Sequence, residues 1–235
     1  MMSIDTESNK NVLVIAAHPD DEILGLGGTI RKLVNDNYNI SCVILGEGLT
    51  SRKDSRIDTP KNQLMELKDN TLKSANIVGY SNVEFCELPD NRFDSVDLLD
   101  VIKIVTKQVE KYKPDTIFTH HYSDLNIDHR ITFEAVTTCC RPVGNYVTKN
   151  IICFETPSST EWNFKNSESY FKPNLFIDIT QTIKYKLDAM SCYITEIKEY
   201  PHPRSLEALR IIAARWGTVV GTEYAEAFEI VRSVR

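Results

Sequence analysis

The chain has 235 residues, 42% of them hydrophobic, and a formal net charge of −6. That length holds one large α/β domain or two small ones around a sizeable core, and an acidic balance without any basic run argues against nucleic acid as a main partner. No apolar stretch reaches the roughly 20 residues of a membrane span, and the polar start "MMSIDTESNK" lacks a signal-peptide core, so a cytoplasmic protein is expected, with residues 1–10 as a flexible arm and 11–235 as one domain.

Val12–Ala17 is a short continuous apolar run, the pattern of a strand buried on both faces. A helix is expected over Ile23–Val34 and a second strand over Ile40–Leu45. The polar loop "GEGLTSRKDSRI" follows and carries Arg52 and Arg56. Asp58 or Thr59 is expected to cap a helix that has Pro60 in its first turn and runs to about Ala75. Val83–Leu88 reads as a third strand, and Ser95 as the cap of a helix reaching Tyr112. Thr116–Thr119 starts a fourth strand, His129–Cys140 a helix, and Ile151–Glu155 and Leu175–Ile179 two more strands. Helices are expected at Gln181–Ile197 and Ser205–Trp216. Tyr224–Val231 fits either a final strand or a helix begun by "YAEAF". The six cysteines (Cys42, Cys86, Cys139, Cys140, Cys153 and Cys192) form no CxxC pair and read as reduced.

Alternating strands and helices imply an α/β fold, a mostly parallel sheet with helices on both faces, in a single domain. Ligands in such folds collect at the carboxyl ends of the strands, where strand order reverses. "HPDDE", "GEGLTSR" and "THHYSDLNIDH" each follow a strand and would share that rim.

The crowded carboxylates Asp20, Asp21 and Glu22 beside His18 call for a positive partner. His18 and Asp21, three apart on a strand-to-helix turn, can aim at one point. His129, ending the cluster Asp124, Asn126, Asp128 and His129, is the natural third ligand. Two imidazoles and one carboxylate suit zinc or a neighbouring divalent metal, one per chain, with a coordination position left open for water. Asp20 is the expected general base, aimed away from its neighbour by the turn that Pro19 restricts. Of five histidines, four lie in these two clusters. Arg52 and Arg56 suit a phosphate or sugar hydroxyl. Glu155, Ser158, Ser159 and Trp162 follow the fifth strand; Trp162 offers its face to a sugar ring or to packing.

"AAHPDDE", "DxNxDHR" and "HPRSLEAL…EYAEAF" resemble the LmbE/PIG-L family of zinc-dependent N-acetylglucosaminyl de-N-acetylases, over Asn11 to Phe228. The resemblance implies a Rossmann-like fold, a zinc ion on His18, Asp21 and His129, Asp20 as base, and hydrolysis of an N-acetylated amino sugar to amine and acetate. It also implies that a homo-oligomer is compatible with the chain, since members often assemble. Many members read "HPDH" where this chain has "NIDH", and the first histidine of that motif is credited with holding the oxyanion. Asn126 stands there, and an amide can donate a hydrogen bond but cannot be a cation. His202 is the expected replacement, His121 the next, with Asp128 orienting a metal ligand or His202.

Two further classes of function remain open at this level: a metal-dependent hydrolase of another amide or an ester, and a non-catalytic metal- or sugar-binding protein, which would not need Asp20. A dinucleotide-binding oxidoreductase is disfavoured because "GLGG" follows the carboxylates instead of opening the loop.

Overall fold

In β1 (Asn11–Ala16), Val12, Val14 and Ala16 enter one hydrophobic core while Leu13, Ile15 and the following Ala17 enter another. The side-chain period of two thus feeds two cores from one apolar run. The computed structural model describes residues 10–143, 146–164 and 170–234; the expected arm, apart from Lys10, lies outside the described residues. Among the described residues, seven strands form one sheet in the order β3-β2-β1-β4-β5-β7-β6. They are β1, β2 (Asn39–Gly46), β3 (Asn82–Leu88), β4 (Thr116–His120), β5 (Asn150–Phe154), β6 (Leu175–Asp178) and β7 (Ala225–Arg232). β1 to β5 pair in parallel, and β7 runs antiparallel between β5 and β6.

Four helices cover one face: α1 (Asp21–Asn35), α2 (Lys61–Val78), α5 (Ile183–Met190) and α6 (Leu206–Val220). α3 (Leu98–Tyr112) and α4 (Ile127–Cys139) cover the other. No helix among the described residues is long and apolar enough to cross a membrane.

Several boundaries differ from the sequence reading. Pro60 takes the N-cap position of α2, and Asp97, not Ser95, that of α3. The expected helix over Gln181–Ile197 is only the eight residues of α5, closed by turns. "YAEAF" is a strand: β7 is paired on both sides, and that pairing outweighs the helix-forming Ala and Glu residues.

α1 is broken at Leu26, whose φ of −148° and ψ of 20° are not helical. The break exposes helical donors and acceptors that must find partners. Glu226 of β7 accepts the N–H groups of Gly28 (3.1 Å) and Thr29 (2.7 Å). Lys186 of α5 donates to the Leu24 carbonyl (2.8 Å) and pairs with Glu226 (2.6 Å). Both charged side chains are buried. Gly28 allows the close approach here, since a Cβ would lie 2.8 Å from Ile179. The first turn of α1, Asp21 to Gly25, is thereby held as a separate piece above the end of β1.

Candidate active site and metal centre

β1 and β4 are parallel neighbours, but β1 leads into a helix on one face and β4 into a helix on the other. Their loops diverge and leave a crevice at the carboxyl ends of the strands. His18 and Asp21 enter it from β1, and Asp128 and His129 from the first turn of α4.

Asp21 Oδ2 accepts the His18 backbone N–H at 2.8 Å. The same oxygen lies 3.4 Å from His18 Nδ1 and 3.3 Å from His129 Nε2. One donor atom from each of His18, Asp21 and His129 lies within 4.8 Å of the other two. Asp21 Oδ1 and His129 Nε2 are buried without a hydrogen-bond partner. Leaving such atoms unsatisfied costs about 1–3 kcal/mol each. Two imidazole nitrogens and a carboxylate oxygen are the donor set of a catalytic zinc-type site, so the residues present fit a divalent cation.

Each histidine is backed by a carboxylate. His18 Nε2 sits 2.9 Å from Asp128 Oδ2 and 3.3 Å from Asp90 Oδ1. With carboxylates on Nε2, Nδ1 is the nitrogen left to face Asp21 and the cluster. Asp128 is fixed in turn by the Phe93 N–H at 2.9 Å. His129 Nδ1 lies 3.1 Å from Asp124 Oδ1, at ion-pair distance without hydrogen-bond alignment. Asp124 also accepts from Thr160 (2.6 Å) and from the Ser159 hydroxyl. Gly46, at the end of β2, lets His18 come close, because a Cβ there would meet the Ala17 carbonyl at 2.8 Å.

The metal-free electrostatics show how much positive charge this pocket draws. Burial opposes a charge on His129, yet Asp21 and Asp124 push its pKa up to about 9. Burial alone would raise Asp21, but His129 and His120 hold its carboxyl well below the usual range. The three adjacent carboxylates avoid one another by facing three ways. Asp21 faces the histidines, Asp20 accepts from Arg204 Nη1 at 2.9 Å, and Glu22 accepts from the Tyr193 hydroxyl and from the Asp20 N–H (3.0 Å). Burial pushes Glu22 up to about 7. The divergence comes from Asp20 itself, which has a left-handed φ of 102°.

His120 is the third imidazole of the cluster, stacked on His129 with ring centroids 3.8 Å apart. It is not free to bind a cation: the Ala17 N–H donates to its Nε2 at 2.9 Å. Burial first, then His129, lower its pKa to about 4.

The crevice opens into a cleft lined by His18, Asp20, Ser51, Arg52, Asn126 and Arg204, among others. Asn126 also caps α4, accepting from the Asp128 N–H at 2.8 Å, and donates to Asn91 at 2.7 Å. Arg52 is tied to Glu196 at 2.5 Å. Arg56 grips Glu47 with two hydrogen bonds of 2.6 and 2.8 Å. Trp162 packs edge-on against His202, whose Nδ1 accepts from the Arg204 N–H at 3.1 Å. Two expectations are changed. His121 is buried away from the cleft, between Glu229 (3.2 Å) and Ser123 (2.9 Å). Glu155 faces Trp216, not the cleft. Asp128 meets His18, one of the two partners expected for it. Asp90, Glu196 and Arg204 were not found from sequence; only Arg204, inside "HPRS", stood in a segment already singled out.

Comparison with known proteins bears on this arrangement. Over 236 aligned residues the chain is 26% identical to the diacetylchitobiose deacetylase of Thermococcus kodakarensis, covering 96% of this chain and 84% of that protein. It is 25% identical to a probable N-acetyl-alpha-D-glucosaminyl L-malate deacetylase 2 of Bacillus anthracis, covering 95% and 88%. The N,N'-diacetylchitobiose deacetylase structure from Pyrococcus horikoshii superposes with a TM-score of 0.74 at 23% identity, over 95% of this chain and 84% of that one. A 4-carboxy-2-hydroxymuconate hydratase from Pseudomonas putida KT2440 gives the same TM-score at 20% identity, over 96% and 97%. Those two structures establish the fold alone, since deacetylase and hydratase share it. The model of the PIG-L family, GlcNAc-PI de-N-acetylase, matches residues 13–140, which include His18, Asp20, Asp21, Asp128 and His129. The chain belongs to the PIG-L (LmbE-like) family.

Proposed function

We propose that this chain is a zinc-dependent hydrolase that removes the N-acetyl group from a GlcNAc-type amino sugar or its conjugate, leaving the free amine and acetate. One observation carries the reading. In a PIG-L family chain, two sequence-distant loops bring His18, Asp21 and His129 together with unpartnered buried donor atoms, and Asp20 stands beside them. A divalent ion held by those three residues, one per chain, supplies Lewis acidity and an acidified water.

The chain's own residues supply the rest. Asp128 and Asp124 hold His18 and His129 in the tautomer and orientation a ligand needs. Asp20 takes the proton of the attacking water and returns it to the departing amine, a single carboxylate acting first as base and then as acid. His202, packed edge-on against Trp162 beside Arg204, is the proposed oxyanion donor. Arg52 and Asn126 contact the sugar within the cleft, and Trp162 stacks on it at the rim. The six free cysteines suit a reducing, cytoplasmic setting.

The test is amine release from N-acetylglucosamine, diacetylchitobiose, GlcNAc-malate and a lipid-linked form, with zinc added. Release from at least one of them is expected. Failure on all four with a stoichiometric divalent ion bound would reject the deacetylase reading and favour another amide or an ester.

A further inference from the structure

Two residues at the rim, Asp20 and Ser158, hold left-handed backbone conformations, with φ of 102° and 73°. Neither is glycine, and such conformations persist only where the surroundings over-determine them. Asp20 follows β1 and Ser158 follows β5, so their loops leave the sheet with β4 between them. One side chain reaches both. Arg204 donates from Nη1 to Asp20 Oδ2 at 2.9 Å and from Nε to Ser158 Oγ at 2.8 Å. Nη1 also lies 3.4 Å from Glu196 Oε2.

Arg204 is itself anchored. Its N–H donates to His202 Nδ1, and the next residue, Ser205, caps α6 by accepting from the Ala208 N–H at 3.0 Å. Its side chain is 22% exposed, while that of Asp20 is 2% exposed. A planar guanidinium with donors at fixed angles, anchored at both ends, defines where its carboxylate partner sits better than a lysine ammonium would. The Asp20 N–H is also engaged, by Glu22, so the carboxylate is held from both its backbone and its tip.

We propose that Arg204 is a positioning residue: by stapling Asp20 to Ser158 of the loop after β5, it fixes the Asp20 carboxylate in the orientation from which it exchanges a proton with the attacking water. The inference rests on the deacetylase reading for its catalytic meaning and on the ion-pair geometry alone for its structural meaning.

The test therefore has two arms. In the kinetic arm, Arg204→Ala should lower kcat by about 100-fold, the scale expected when a reacting group is misplaced by about 1 Å, with KM changed less than about threefold and the bound metal unchanged. Arg204→Lys should recover only part of the loss, and millimolar guanidinium should restore rate to Arg204→Ala. In the stability arm, a denaturation cycle of Asp20→Asn, Arg204→Ala and the double variant should be non-additive. An unchanged kcat in an active protein, a loss confined to KM, or additive stability effects would each overturn the proposal. A wild-type chain that releases no amine sinks the deacetylase reading instead, and the stability arm still decides the Arg204–Asp20 staple.

Discussion

Residues 13–140 and residues 150–232 reach the same cleft with different chemistry. The first stretch supplies four parallel strands and every donor of the candidate metal cluster, His18, Asp21 and His129. The second supplies the antiparallel pair β6 and β7 and places buried or half-buried ion pairs around that cluster: Arg204–Asp20, Arg52–Glu196 and Lys186–Glu226. Parallel strands deliver short loops side by side at one edge, which is what a cation needs from its ligands. The second stretch then fixes how those loops are held. The donors of the cluster thus come from one part of the chain, and much of what braces their loops from the other.

That division can be broken by experiment. The largest effect should come from the first stretch. His129→Ala should abolish stoichiometric binding of a divalent ion and lower turnover by at least about 10³-fold; metal analysis and amine release read both, and retention of the ion would dissolve the proposed ligand set. Asp20→Asn should keep the ion and still lose about 10²–10⁴-fold in kcat. Full activity in that variant would move the base elsewhere.

Variants of the second stretch should act first on stability. Glu226→Gln strands the buried Lys186 and leaves the break in α1 half-capped, so unfolding free energy should fall by about 3–5 kcal/mol. Chemical denaturation measures this, and the double variant Glu226→Gln/Lys186→Met should recover much of it.

A smaller effect should appear at Glu155, where burial lifts the carboxyl to about 7 and Trp216 opposes the shift. The folded state then keeps this proton while the unfolded chain, near the usual value of about 4.3, gives it up. Stability falls as pH rises between those values, by about 2 kcal/mol from pH 5 to pH 7. Glu155→Gln should flatten that slope in denaturation curves taken at pH 5 and pH 7. His202→Ala should have the smallest effect, a reduced kcat with the bound ion unchanged; an unaltered rate would leave His202 as a turn residue supporting Arg204.

The same division explains what could be read from the amino acids. The ligand cluster was legible because a strand, a tight turn and a helix start compress its chemistry into "HPDDE" and "DLNIDH", where spacing alone points side chains to one place. The ion pairs were not, because Arg204 and Glu196 lie in irregular turns whose direction no periodicity reveals. His120 and His121 are equivalent in sequence. Only the Ala17 N–H on one ring and Glu229 on the other show that neither nitrogen set is offered to the cleft. β7 was ambiguous because "YAEAFEIV" alternates like a strand while carrying helix-forming residues, and partners on both sides decide it.

The cap that Glu226 places on the split first helix has a meaning for how the protein is made. During synthesis the ligand-bearing turn emerges early, and β7 emerges last of the described strands. Until β7 docks, Gly28 and Thr29 lack their acceptor and Lys186 lacks its counter-charge, so the nascent turn has no rigid footing. A product truncated before β7 would be poorly built to hold an ion.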